Sequence, residues 1–176
     1  MAKNTHLEHL EDDIFNSGYN GATNSINFLV GLRDMLTTGK GGSNMKVTVK
    51  WDGAPAIVCG TDPETGEFFV GNKSVFNKST PKICYTDGFI DEHYPDSGLN
   101  KILKKCLKHL MRLPIDGVIQ GDLLYEQRPK IASMNGKRCY VFKPNTITYC
   151  VEVDSEMGRK IAKSEIGIVF HTKYSG

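Results

Sequence analysis

Charge of one sign is what this chain most plainly lacks. Its 22 Lys and Arg nearly balance its 20 Asp and Glu, leaving a formal net charge of +2. Bulk electrostatics therefore give no pull toward nucleic acid, and any basic patch must be local. Long hydrophobic runs are missing too. No uninterrupted apolar stretch approaches the ~20 residues that a membrane helix needs, so no membrane association is expected. Met1 to Asp13 is charged and has no apolar h-region, which argues against a signal peptide. The five cysteines, Cys59, Cys84, Cys106, Cys139 and Cys150, are odd in number and contain no C-x-x-C pair. That usage fits a reduced, cytoplasmic protein and argues against a zinc site. Internal repeats and low-complexity segments are absent. What remains is 176 residues of ordinary soluble composition, enough for one domain with a proper core.

The apolar spacing predicts two N-terminal helices, over 5–15 and about 21–36, separated by a break at 16–20. Thr38 to Ser43 is glycine-rich with one lysine. It lacks P-loop spacing and precedes a predicted strand, so it reads as a linker. Strands are expected at 56–59 and 67–70, joined by the Asp62-Pro63-Glu64-Thr65-Gly66 turn into a hairpin that returns Asn72 and Lys73 toward the sheet. Residues 74–96 read as a long loop with one or two short elements, a length often tied to function. Leu99 to Leu113 predicts the clearest amphipathic helix, with Leu99, Ile102, Leu103, Cys106, Leu107, Leu110 and Met111 on its apolar face. Its lysines, Lys101, Lys104, Lys105 and Lys108, read as a solvated face or as a local phosphate-binding patch. Further strands are expected at 118–125, 138–143, 147–152 and 166–170, with a short helix capped by Asp154 or Ser155. Residues 126–137 read as loop with a hairpin turn at Asn135-Gly136. The order implies an α+β chain built on antiparallel sheet.

The most informative stretch is Lys46-Val47-Thr48-Val49-Lys50-Trp51-Asp52-Gly53-Ala54-Pro55. It reads as a strand entering a tight turn. Alternation puts Val47, Val49 and Trp51 on one face, and Lys50 and Asp52 on the other. Gly53 allows close backbone approach and Pro55 stiffens the exit. A lysine on a half-buried sheet face is either an ion-pair partner of Asp52, a snorkelling amine, or a nucleophile. The nucleophile must be neutral, which burial or a nearby cation such as Lys73 would favour. A second informative stretch is Gln120-Gly121-Asp122. An acid at mid-strand beside a glycine suits ligand contact better than packing.

Lys50-Trp51-Asp52-Gly53 resembles the K-x-D-G signature of the covalent nucleotidyltransferases, the superfamily of ATP-dependent DNA and RNA ligases and mRNA capping enzymes. Asn72-Lys73-Ser74 resembles the motif that sets a basic residue near the nucleotide ribose, with Lys73 where arginine is usual. Gln120-Gly121-Asp122 resembles the strand motif ending in Gly-Glu, with Asp122 for glutamate. Gly167-Ile168-Val169-Phe170 resembles the core of the Glu-Gly-hydrophobic-Val motif, with Ile166 where the acid is expected and Glu165 one position early. Lys173 is the single candidate for the paired lysines of the final motif. Across nearly its whole length, including His6-Leu7-Glu8-His9-Leu10-Glu11, Pro144-Asn145-Thr146-Ile147-Thr148-Tyr149 and His171-Thr172-Lys173-Tyr174, the chain also looks like a tailed-phage family of ligase-like character. Its compartment would then be the host cytoplasm.

The resemblance implies an antiparallel-sheet nucleotidyltransferase (ATP-grasp-like ligase) domain with flanking helices. It would span 1–176, without an OB domain, as a C-terminally truncated piece or a stripped-down member. Lys50 would be catalytic and form a lysyl-AMP with ATP. Asp52, Gly53, Lys73, Asp122 and Lys173 would bind nucleotide, and Asp122 would hold Mg2+ or Mn2+. Tyr125 or Phe76 would stack on the base, and a 5′-phosphorylated DNA or RNA end would accept the AMP. The alternative is a catalytically degenerate nucleic-acid-binding or phage accessory module on the same fold.

Overall fold

The computed structural model describes residues 9–38 and 48–174. These fall into two compact units, one within His6–Lys50 and one within Trp51–Gly176.

The first unit is helical. A helix, α1, spans Leu10–Thr38, interrupted at Gly18, whose φ of 55° and ψ of −128° are not helical. The predicted break narrows to this glycine, because only glycine takes such a conformation at little cost. The arms on either side fold back on each other: Ser25 is buried and its hydroxyl donates to the Leu10 carbonyl at 3.0 Å. Thr48, Val49 and Lys50 are exposed and carry no strand. The strand expected over 46–52 is therefore absent at 48–52, and Lys46 and Val47 lie outside the described residues.

The second unit is mixed α and β with two antiparallel sheets. Strands β1 (Ala56–Thr61), β2 (Phe68–Gly71), β3 (Val118–Tyr125) and β7 (Gly167–Tyr174) form one sheet in the order β2-β1-β3-β7. Strands β4 (Lys130–Met134), β5 (Lys137–Phe142) and β6 (Tyr149–Glu152) form the other. The 126–137 segment, expected as loop, contains β4. Its side chains are all exposed, so no burial pattern marks it. The Asn135-Gly136 turn is where expected, both residues having positive φ.

Helices α2 (Asp87–His93) and α3 (Gly98–Leu110) cover one face of the first sheet. Ile57, Cys59, Val70, Leu123, Ile90, Leu103, Cys106 and Leu107 make that core. Burial pushes the Cys59 and Cys106 thiols up to about 12. Ser97 caps α3 by accepting from the Asn100 amide. Met111, placed on its apolar face by periodicity, lies past the last turn and is 55% exposed. Lys104 pairs with Asp91 at 2.6 Å, and Lys105 donates to the Glu126 carbonyl. The second sheet packs with α4 (Glu156–Lys163) around Tyr140, Phe142, Tyr149, Val151 and Ile161.

Two register shifts interrupt the β3·β7 ladder. At the first, His171 is an extra residue between Thr172, opposite Gln120, and Phe170, opposite Gly121. At the second, Leu124 is extra, and Leu124 and Tyr125 turn into the second core. Bulges of this kind re-aim side chains.

The β1–β2 hairpin is closed by Asp62, which is 7% exposed. Its carboxylate accepts from the Glu64 amide at 2.8 Å and from the Tyr85 hydroxyl. The Tyr85 bond and the Glu64 amide hold the carboxyl below its usual range. A depressed folded value stabilises the fold above the unfolded pKa, about 3.9, and that stability is lost as pH falls through the folded value. Tyr85→Phe should therefore cost about 1.5–3 kcal/mol at pH 7. In thermal melts, the gap to wild type should close in acid. A gap of equal size at pH 7 and pH 2 would contradict this.

Candidate functional site

Asp122 lies on the sheet face opposite α2 and α3. Along β3, Ile119 and Leu123 face the helices, so Gln120 and Asp122 face away. Asp122 pairs across the sheet with Ala56, the first residue of β1. The residues leading into β1 therefore arrive beside Asp122.

Those residues are tied at three points. Trp51, the single tryptophan, lies parallel to Phe142 at 6.0 Å and against Tyr149 at 4.8 Å. The Asp52 amide donates to the Tyr149 hydroxyl at 2.7 Å, and Asn145 donates to the Asp52 carboxylate at 3.0 Å. Ala54 donates to the Leu123 carbonyl at 3.1 Å, and Leu123 donates back to Pro55 at 3.0 Å. Residues 51–55 thus cross from the second sheet to the first. This explains the absent strand: Trp51 and Asp52 spend their contacts on side chains of the second sheet, leaving no ladder to join.

Gly53 lies at the centre of this crossing. A Cβ there would run into the Leu123 carbonyl and stand 3.1 Å from the Asp122 Cβ. The Asp-Gly pair of the turn and the Gln-Gly-Asp of β3 therefore meet through backbone contact that only glycine permits. Lys50 directly precedes Trp51 in the chain and is exposed. The half-buried setting expected for it is not observed.

The β1·β2 register pairs Val58 with Gly71, so the chain after Gly71 heads toward the Ala56–Asp122 end. There Asn72 caps a short 3-10 helix, Lys73–Phe76, by accepting from the Ser74 amide at 2.9 Å. Lys73 opens it and is exposed. Phe76 is 48% exposed and packs on Tyr174, with ring centroids 4.6 Å apart. The Tyr174 hydroxyl donates to buried Gln120 at 2.7 Å.

Other candidates are placed elsewhere. Lys173 sits opposite Ile119, nearer the far end of β3, and its amine pairs with Asp116 at 2.9 Å. Tyr125 is taken up by the second core. Its ring meets Phe142 edge-on at 5.2 Å and its hydroxyl bonds Ser164 at 3.0 Å. Ile166 packs on the first core, and Glu165 faces His109 at 3.3 Å. Sequence reasoning gave no separate role to His171, Asn145 or Tyr149. All three lie in stretches carried by the family resemblance, which was their one available signal.

The family described as of unknown function, DUF6267, matches residues 4–176. The chain belongs to this family. No curated protein and no solved structure matches it. DUF6267 membership therefore brings no activity, and the chemistry of this chain must be argued from its own residues. Among the described residues no three His, Cys, Asp or Glu side chains gather as a metal site, and no helix is long and apolar enough to cross a membrane.

Adding one methyl group at the crossing tests its tightness. Gly53→Ala should destabilise the fold by about 1–3 kcal/mol through overpacking against Leu123 and Asp122. Gly66→Ala, in the open β1–β2 turn, serves as a control for backbone strain without a clash. An unchanged melting temperature for Gly53→Ala would contradict the close approach.

Proposed function

We propose that this chain is a nucleotidyltransferase that forms a covalent lysyl-AMP at Lys50, as in the first step of an ATP-dependent DNA or RNA ligase reaction. One observation carries the reading. The Trp51-Asp52-Gly53 turn that follows Lys50 in the chain is anchored against Asp122, from a separate motif of the same resemblance, through the Gly53 contact. Two stretches distant in sequence thus meet as a nucleotide site would require. The α+β class with antiparallel sheets also supports a nucleotidyltransferase fold.

In the proposed step, the neutral Lys50 amine attacks the α-phosphorus of ATP. A nitrogen–phosphorus bond forms, the bond to the pyrophosphate oxygen breaks, and the amine loses a proton to solvent. Asp52, two residues after the nucleophile in the chain, is held by Asn145 and Tyr149 and would orient the amine or the ribose. Lys73 and the exposed face of Phe76 offer a phosphate or ribose contact and a stacking surface. A single carboxylate fits a Mg2+ or Mn2+ ion that draws its other ligands from phosphates and water, and Asp122 would hold it. Such an ion would neutralise phosphate charge. The AMP would pass to a 5′-phosphorylated nucleic-acid end.

A second reading is favoured by Ile166 and Lys173. The first is packed in the core and the second is paired with Asp116. Neither supplies the acid or free lysine that the superfamily uses. On this reading the fold is kept as a nucleic-acid-binding or accessory module without chemistry.

Incubation with α-labelled ATP and Mg2+ separates the two. The first reading expects one AMP per chain by intact mass, released by mild acid and abolished in Lys50→Ala. Asp122→Asn should slow labelling by about 100-fold or more, the cost typical of a lost electrostatic contact. Salt-sensitive binding to DNA or RNA with no adduct at all would favour the second reading.

A further inference from the structure

Asp122 has a neighbour that neither the motif comparison nor the family assigns. The His171 Nε2 lies 3.5 Å from the Asp122 Oδ1. On its other side, the His171 Nδ1 is 2.8 Å from the Thr172 hydroxyl. Both members of the pair are largely shielded, His171 at 27% and Asp122 at 20% side-chain exposure.

The arrangement depends on the first register shift. In regular pairing, neighbouring residues of β7 would point to opposite faces. The extra residue at His171 breaks that alternation and lets His171 and Thr172 share the face of Gln120 and Asp122. Gly121 makes room for it. A Cβ there would strike the Val169 carbonyl and lie 2.9 Å from the Phe170 Cα. A glycine, a bulge and a hydroxyl thus combine to aim one imidazole at one carboxylate.

We infer that His171 is a positioning residue, set by Thr172, that fixes the Asp122 carboxylate toward bound nucleotide. This rests on the nucleotide-binding reading above. With Thr172 donating to Nδ1, the ring proton would sit on Nε2, 3.5 Å from Oδ1. One carboxylate oxygen is then held, and the other is left for a ribose hydroxyl or a cation. Supporting groups of this kind commonly change affinity or activity by 10- to 100-fold when lost.

The test uses calorimetric binding of the magnesium complex of α,β-methylene-ATP, which cannot transfer AMP. It is paired with labelling by ATP itself. His171→Gln keeps an amide N–H at about the reach of Nε2. His171→Asn keeps only the Nδ1 position. His171→Ala and His171→Asn should weaken binding about tenfold or more, His171→Gln should return to within about threefold of wild type, and Thr172→Val should fall between. Melting temperatures of the Gln and Asn variants should agree, so the comparison stands even where the alanine variant folds poorly. Equal binding by the Gln and Asn variants would overturn the inference alone. A wild type that binds no nucleotide would overturn it together with the reading beneath it. A wild type that binds but never labels would end the transfer reading and leave His171 to the Gln–Asn comparison.

Discussion

The contact between Gly53 and the Asp122–Leu123 backbone is the constraint on which the rest depends. It joins the start of β1 to the middle of β3, and a single carbon would block it. Because it is a backbone approach, its geometry is insensitive to rotamer choice and solvent. Around it the chain adds directional bonds. Tyr149 and Asn145 take Asp52, and Leu123 exchanges bonds with Ala54 and Pro55. The aromatic cluster of Trp51, Phe142 and Tyr149 supplies the apolar area that makes the crossing favourable.

This crossing also connects the two cores. The first core, under α2 and α3, is aliphatic and cysteine-rich and sets the β1·β3 register. The second, under α4, is aromatic and holds Trp51. The two register shifts in β3·β7 complete the exchange. One sends Leu124 and Tyr125 into the second core, and the other brings His171 onto the face of Asp122.

Most of the fold was legible because its signals are local. Helix α3, the β1–β2 hairpin, β3 and the Asn135-Gly136 turn all follow from periodicity or turn chemistry. What escaped has a common physical origin. β4 has no buried face, so it left no alternation to read. The segment from Thr48 to Gly53 alternates like a strand, yet Trp51 finds aromatic partners in a sheet far along the chain, and such a pairing leaves no local mark. Met111 kept helical phase but fell beyond the last turn. At the site, Gly53 lies against Asp122, and Asp52 beside it is bonded to Tyr149 and Asn145. Lys173 and Tyr125 are placed elsewhere, because an ion pair with Asp116 and a core contact with Phe142 claimed them. His171 was invisible to pattern reasoning because its orientation comes from a bulge, and a bulge is a property of two strands together.

The central claim is that Lys50, Asp52 and Asp122 act on one nucleotide. A crystal structure of the chain grown with ATP and Mg2+ tests it most directly. The account predicts continuous density from the Lys50 amine to the α-phosphate, with Asp122 and the Asp52-Gly53 turn against the nucleotide. Nucleotide bound away from the β1–β3 crossing, with the Lys50 amine unmodified, would contradict it.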